Sequence, residues 1–481
     1  MRYLCPALLI VTLATDASAQ AIDAPGAAQL SQSLSRYISQ VAFDRNVVKV
    51  VPDDDAYRID IDFKVLAALV PAQAPVKFEI EPFALRVKPR ADGTWQVDGP
   101  LLPDGWFEAG EGPERLHAQW AVTDGKSTGI YDPELAAFTS ASASYGGIKV
   151  KSKEASGEDE TSYGAGSMMM TATRSANGGV DFSSRQELGS FAETRSMRIP
   201  DSSVPFVASV TAASLTAESS GAGVRTKSLL DLLAFGIANA DYERVKANQA
   251  ELKSLLLAAL PFWDRMGGTY ALSDLQVITP VGILRGRKFD NAVSMDGLRQ
   301  DGKLSFGFQV SDMAVVSFFL PGWSSTLIPT KLDLNLTATN LNLDDPARKL
   351  IGAFDLNQTP PVPANVEDEI AMAFKANPPK VVFSRSVIAN ANVEVVAEGE
   401  MSFADGNSIV NMTFDATGYE KMLGILEAAA PSDPRVTEIL PMVQFLRDQA
   451  TTMPGGHLQW KLSTSADGTI MLNNYQWKSP Q

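Results

Sequence analysis

The sequence predicts an α+β, β-dominated fold: long antiparallel hairpin-built sheets in two halves, with a central helical pair and C-terminal helices packed on the sheet. Three observations predict it. Apolar and polar residues alternate in many separate stretches, as in Tyr57-Arg-Ile-Asp-Ile-Asp-Phe63 and Lys331-Leu-Asp-Leu-Asn-Leu-Thr-Ala338, the period of a strand with one wet face. Asp-Gly or Asn-Gly pairs recur from end to end, at Asp92-Gly93, Asp124-Gly125, Asn177-Gly178, Asp301-Gly302, Asp405-Gly406 and Asp467-Gly468. Such pairs supply the positive backbone angles of tight hairpins and argue against a parallel sheet. Between the strand-rich halves, residues 228–263 carry Leu229, Leu230, Leu233, Ile237, Leu252, Leu255, Leu256 and Leu260 at helical spacing.

Taken in order, Leu30, Leu34, Tyr37, Ile38 and Val41 give an amphipathic helix, followed by the strand at 57–63. Residues 76–97 read as two strands, with Phe83, Leu85 and Val87 before the turn and Trp95 and Val97 after it. The Ser, Gly, Ala and Thr-rich stretch 139–184 reads as polar, edge-like strands, because Ile148/Val150 and Met168/Met170 still alternate. A mobile loop is the other reading of that stretch. The helical pair breaks at 239–242 and stops at Pro261.

Leu304, Phe306, Phe308 and Val310 form the next strand, and Asp345-Pro346 reads as a cap and first helical residue. A proline-rich connector, 359–363, precedes a helix at 366–374. Strands at Val393/Val395 and Met412/Phe414 lead to helices at 419–429 and 434–449, the second capped by Asp433, and to a final hairpin at 458–472.

Arg2, the apolar run 7–14 (ALLIVTLA) and Ala17-Ser18-Ala19 have the layout of a cleavable secretory signal, which puts residues 1–19 in a signal peptide and the mature chain in the periplasm. The lone Cys5 would leave with it, removing thiolate chemistry and disulfides. The remainder divides into a β-rich half at 20–225, a helical connector at 226–265 and an α+β half at 266–481. A net charge of −15 disfavours nucleic acid and electrostatic docking on anionic membranes. The richest later apolar runs, 254–263 and 313–323, are broken by proline or glycine and fall short of a spanning helix.

Chemistry leaves few traces. The chain has no Ser-x-x-Lys pair and no Gly-x-x-x-x-Gly-Lys-Ser/Thr phosphate loop, and Gly164-Ala165-Gly166-Ser167 has the wrong spacing for a serine nucleophile elbow. The two histidines fall in matching segments, His117-Ala-Gln-Trp120 and His457-Leu-Gln-Trp460, each on the wet side of its strand, through duplication or convergence. Asp53-Asp54-Asp55 with Asp60 and Asp62 is the densest carboxylate cluster, and it lacks the ligand ladder of a calcium loop. It reads as a solvated turn. Met168-Met169-Met170 reads as core filling, with an adaptable ligand surface as the alternative. No catalytic residue, metal ligand or cofactor is assigned.

The order of exported signal, short helix, Tyr57-Arg-Ile-Asp-Ile-Asp-Phe63, the hairpin Arg86-Val-Lys-Pro-Arg-Ala-Asp-Gly-Thr-Trp-Gln-Val97, and late strands before Asp344-Asp-Pro-Ala-Arg348 resembles a family of exported alphaproteobacterial proteins that brings no assigned activity. In architecture alone the chain is similar to AsmA-like envelope proteins, whose elongated sheets are implicated in handling lipids, although their usual N-terminal anchor is missing. The resemblance implies a non-enzymatic envelope protein with a lipid or other hydrophobic ligand in a sheet groove. The alternatives are an envelope scaffold acting through a protein partner, and a carboxylate-based glycan hydrolase.

Overall fold

The computed structural model describes residues 22–68, 76–112, 115–199, 204–404 and 407–478. The signal segment with Cys5 and the Asp405-Gly406 turn lie outside them. The chain divides into two units, Met1–Met266 with Phe354–Pro361, and Gly267–Ala353 with Val362–Gln481. Among the described residues no helix is long and apolar enough to cross a membrane.

In the first unit, α1 (Ala24–Ile38) begins where the Asp23 carboxylate accepts the Gly26 amide at 2.8 Å, with Pro25 in the first turn. Ser39, at φ 81°, separates it from α2 (Gln40–Asp44), so the expected helix starts earlier and ends before Val41. Leu30 and Leu34 are buried, and α1 packs on β1 (Val48–Asp53), which pairs with β2 (Ala56–Ile61). Phe63, expected to extend that strand, instead opens α3 (Phe63–Ala67), because the Asp62 carboxylate accepts the Lys64 amide at 2.9 Å.

From Val76 the chain runs as a meander of long strands, each interrupted near its middle. The successive halves are β3 (Val76–Ile80) and β4 (Phe83–Pro89), β5 (Trp95–Gly99) and β6 (Gly105–Ala109), and β7 (Leu116–Thr123) and β8 (Lys126–Asp132). Then come β9 (Ala137–Tyr145) and β10 (Gly147–Glu154), β11 (Gly157–Tyr163) and β12 (Gly166–Arg174), β13 (Val180–Leu188) and β14 (Phe191–Met197), and β15 (Phe206–Ala212) and β16 (Ser214–Val224). One arm pairs as β2-β4-β5-β8-β9-β12-β13-β16, and the other as β3-β6-β7-β10-β11-β14-β15, antiparallel throughout.

Backbone bonds run on through the interruptions. Glu81 N–H donates to the Asp104 carbonyl at 2.9 Å, Gly146 to Thr123 at 2.7 Å, Gly164 to Ser190 at 2.7 Å and Gly189 to Ala165 at 2.8 Å. The two arms are therefore one hydrogen-bonded sheet creased along a line. Asp124-Gly125, read from the sequence as a hairpin turn, sits on that crease: β7 pairs with β6 and β10, β8 with β5 and β9, and Asp124 at φ 52° carries the chain from one arm to the other. At Asp92-Gly93 and Asn177-Gly178 the expected hairpins form, with Gly93 at φ 82° and Gly178 at φ 85°. The polar stretch 139–184 is sheet, not loop.

Three helices stand where a pair is expected: α4 (Thr226–Ala238), α5 (Tyr242–Ala247) and α6 (Gln249–Ala259). The break at 239–242 holds Asp241, whose carboxylate caps α5 by accepting the Arg244 amide at 2.9 Å. Helix α4 packs on α1 and α6, and Arg36 of α1 meets Asp231 at 2.5 Å.

The second unit begins within β17 (Arg265–Thr279). Strands β18 (Gly282–Asp296), β19 (Gly302–Ser311), β21 (Lys331–Leu341), β22 (Lys380–Ala389), β23 (Glu394–Ala404), β24 (Asn407–Thr417), β26 (Leu458–Thr464), β27 (Ile470–Leu472) and β28 (Tyr475–Lys478) pair antiparallel in that order. Short β20 (Ala314–Val316) joins β18, and β25 (Thr451–Thr452) joins β26. Helices α7 (Asp344–Ala353) and α8 (Ala364–Ala376) lie between β21 and β22.

As the sequence predicts, C-terminal helices pack on the sheet. Tyr419 of α9 (Tyr419–Ala429) and Val443 and Leu446 of α10 (Pro434–Gln449) join a core with Ala416, Leu458 and Trp460. The Trp460 indole donates to the Leu446 carbonyl at 2.7 Å, and the Tyr419 hydroxyl to that of Val443 at 2.9 Å.

Asp433 starts α10. Its carboxylate accepts the Arg435 amide at 3.1 Å, both edges of the Arg435 guanidinium, and the Trp323 indole N–H at 3.1 Å. The Arg435 guanidinium first, then the indole, hold this carboxyl well below its ordinary range. A group depressed on folding contributes stability above its ordinary pKa and loses it as pH falls further. Asp433→Asn keeps a capping acceptor but loses the charge-assisted bonds to Arg435, and is expected to lower the melting temperature by roughly 2–4 °C at neutral pH. The difference from the parent should shrink below about pH 4, and thermal melts across pH check it.

Candidate functional site

The crease builds the site. In the first arm, Ala141, Ala143 and Tyr145 of β9 stand opposite Met170, Met168 and Gly166 of β12, and these stand opposite Ser184, Gln186 and Leu188 of β13. In the second arm, Trp120 and Val122 of β7 stand opposite Val150 and Ile148 of β10, with Tyr163 of β11 beyond. All of these side chains are half-buried or buried. Their alternates Ser142, Ser144, Ser167, Met169, Thr171, Lys149 and Lys151 are exposed.

Across the crease the sheltered set steps by three, from Tyr145 to Ile148, Tyr163 to Gly166, Leu188 to Phe191 and Ala212 to Leu215, where an unbroken strand steps by two. One extra residue per strand at the same level is a stacked row of bulges, which bends every strand in the same sense. Both arms shelter their residues on this one side, which we infer to be the inside of the bend, a trough. Gly166 lies at its bottom, where a Cβ would collide with the Tyr145 ring and come within 2.9 Å of the Glu187 carbonyl. Gly166→Ala is expected to cost about 1–3 kcal/mol, the price of overpacking, as checked by denaturant titration.

One end of the trough is filled. Ala27, Leu30 and Leu34 of α1 pack on Tyr57, Ile59, Leu85, Val87, Trp95, Val97 and Tyr131, which lie on the same side of the first arm as Ala141. Burial there pushes the Tyr131 hydroxyl far above its ordinary pKa. Further along, the face stays open. Ala141, Ala143, Met168 and Met170 belong to no buried cluster among the described residues.

The methionine run therefore lies outside the buried clusters: Met168 and Met170 are half-buried in the trough and Met169 is exposed on the outside. Towards the edge of the second arm the same side turns polar. Asp159 of β11 faces Arg195 of β14, their side chains 3.4 Å apart. The arrangement offers a greasy floor and an ion-paired rim.

The second unit has an open apolar face as well. Val293, Phe306 and Leu336 stand in one cross-strand row and Met295, Leu304 and Ala338 in the next. Phe306 is 37 % exposed and Leu304 43 %. The same face is covered by α9 and α10 only at its β24–β26 end.

The remaining candidates are in structural use. His117 is on the outside of the second arm, stacked on Trp106 at 5.8 Å with Nδ1 3.4 Å from Glu108, and His457 has Nε2 3.5 Å from Asp415. In both His-x-Gln-Trp segments the indole donates to a backbone carbonyl, Trp120 to Pro103 at 2.8 Å and Trp460 to Leu446. Asp54 and Asp55 form the β1–β2 turn after Asp53, and Asp60 pairs with Arg58 at 2.8 Å. Lys88, then Arg86, bond the Asp55 carboxylate and hold it below its ordinary range. Gly164-Ala165 forms part of the crease, and Ser167 points outward. No three His, Cys, Asp or Glu side chains among the described residues gather as a metal centre requires. Comparison of the chain with protein-family models, with curated proteins and with solved structures finds no match.

Proposed function

We propose that this is a non-enzymatic periplasmic protein of the cell envelope that binds a lipid or similar hydrophobic chain in the trough of its first unit. The observation that carries the reading is the row Ala141, Ala143, Met168 and Met170, half-buried on the sheltered side yet outside every buried cluster among the described residues. Small side chains leave width there, and methionines adapt to an irregular guest. Each methylene moved from water into such a site contributes about 0.8 kcal/mol. The Asp159–Arg195 rim suits the polar end of an amphiphile. The periplasmic address rests on the signal layout at 1–19.

The test is direct. Protein purified without detergent is extracted with organic solvent and the extract weighed by mass spectrometry. A near-stoichiometric acyl lipid is expected. Empty protein that also fails to take up an added fluorescent phospholipid overturns the proposal.

A further inference from the structure

A second observation, independent of the trough, concerns residues 316–323 of the second unit. After β20 pairs with the start of β18, through Val316 opposite Ile283, the chain leaves the sheet at Ser317. The Ser317 hydroxyl donates to the Val281 carbonyl at 2.6 Å and accepts the Phe319 amide at 3.2 Å. Those bonds hold up a finger whose tip is two phenylalanines with ring centroids 4.2 Å apart, Phe318 at 74 % and Phe319 at 65 % exposure.

Val281, Val316 and Leu320 are exposed around them. The base is anchored: the Trp323 indole donates to Asp433 at 3.1 Å, and the Ser324 hydroxyl to the Pro321 carbonyl at 2.8 Å. An anchored, water-facing aromatic tip that packs against nothing costs the isolated fold solubility and gives it no core.

Charge says what covers it. In a chain of net charge −15, stretches 275–289 and 313–331 carry Arg285, Arg287, Lys288 and Lys331, with carboxylates only at their borders, Asp274, Asp290 and Asp312. Arg287 and Lys288 stay largely exposed while paired at 3.3 Å with Asp312 and 2.6 Å with Asp290. Aromatic residues beside cations are the composition that seats at a bilayer interface, apolar groups among the acyl chains and cations at the headgroups.

We infer that this finger docks the protein on a lipid bilayer bearing anionic headgroups. Burial of Phe318 and Phe319 drives the contact, and Arg285 and Arg287, on one face of β18, select the surface, against the repulsion of the rest of the molecule.

Flotation of the full chain with vesicles of phosphatidylcholine, alone or with phosphatidylglycerol, tests it. The parent is expected to float with the anionic vesicles, less so at high salt. Phe318→Ser with Phe319→Ser should reduce the bound fraction about tenfold or more at an unchanged melting temperature, since both rings lie in water. Arg285→Gln with Arg287→Gln should abolish the preference for anionic vesicles. A parent that stays in the dense fractions, or a serine pair that floats like the parent, overturns the inference; so does a finger captured by a protein partner without vesicle association. Lipid found by extraction alongside failed flotation leaves the trough standing and removes only the finger.

Discussion

Ala143→Trp is expected to strip the purified protein of extractable lipid, by about tenfold or more, while moving its stability by less than about 1 kcal/mol. Ala143 stands on the inside of the bend, opposite Ser127 and Met168, with no buried cluster around it for an indole to displace. An indole there occupies the space a chain of methylenes would need, at a position outside the buried clusters. Ser142→Trp is the matched control. Its side chain leaves the opposite, exposed face of the same strand, so the same bulk added one residue away should leave lipid content unchanged. Equal lipid in all three proteins would detach the trough from any ligand, and equal loss in both variants would indicate a general disturbance of β9.

Trp95→Ala is expected to destabilise the first unit by about 3–5 kcal/mol, read from denaturant unfolding of the full chain. Trp95 is 0 % exposed, opposite Pro89 and Tyr131, with its ring centroid 6.4 Å from that of Tyr57. Its removal leaves a void under α1 that cannot collapse, because rigid strands bound it on two sides. Trp95→Phe separates the ring from its N–H. The indole N–H is buried with no hydrogen-bond partner among the described residues, so exchange for an apolar ring removes an unsatisfied donor along with the area. The cost should fall to about 1–2 kcal/mol. If the two substitutions cost the same, the site is held by something other than packing.

The strands were legible because alternation is a local signal, and 331–338 and 57–61 pair where their pattern says. Helix caps were legible for the same reason: Asp433 needs only its own next residues. The crease was not. Its step of three falls among glycine, alanine and serine, at Gly146-Gly147, Gly164-Ala165 and Gly189-Ser190, where small side chains carry almost no alternation to interrupt. Asp124-Gly125 satisfies a hairpin and a crease equally, and only the partners of β7 and β8 decide between them. Leu30 and Leu34 announced an amphipathic helix, but the face it lies on is set by pairings far away in sequence. The 313–323 run was apparent as apolar and too short to span a bilayer, yet nothing local says that Phe318 stays in water.

Because each long strand from β3 to β16 crosses the bend once and pairs antiparallel with its neighbours on both arms, the architecture is modular along its long axis. Two successive strands with their shared turn form a complete slice, contributing wall on both sides and a segment of channel about 9–10 Å long. Deleting or duplicating one slice presents the same antiparallel edges to its neighbours. Capacity for longer or shorter cargo can thus be gained by copying a hairpin, without redesign of the closed end under α1.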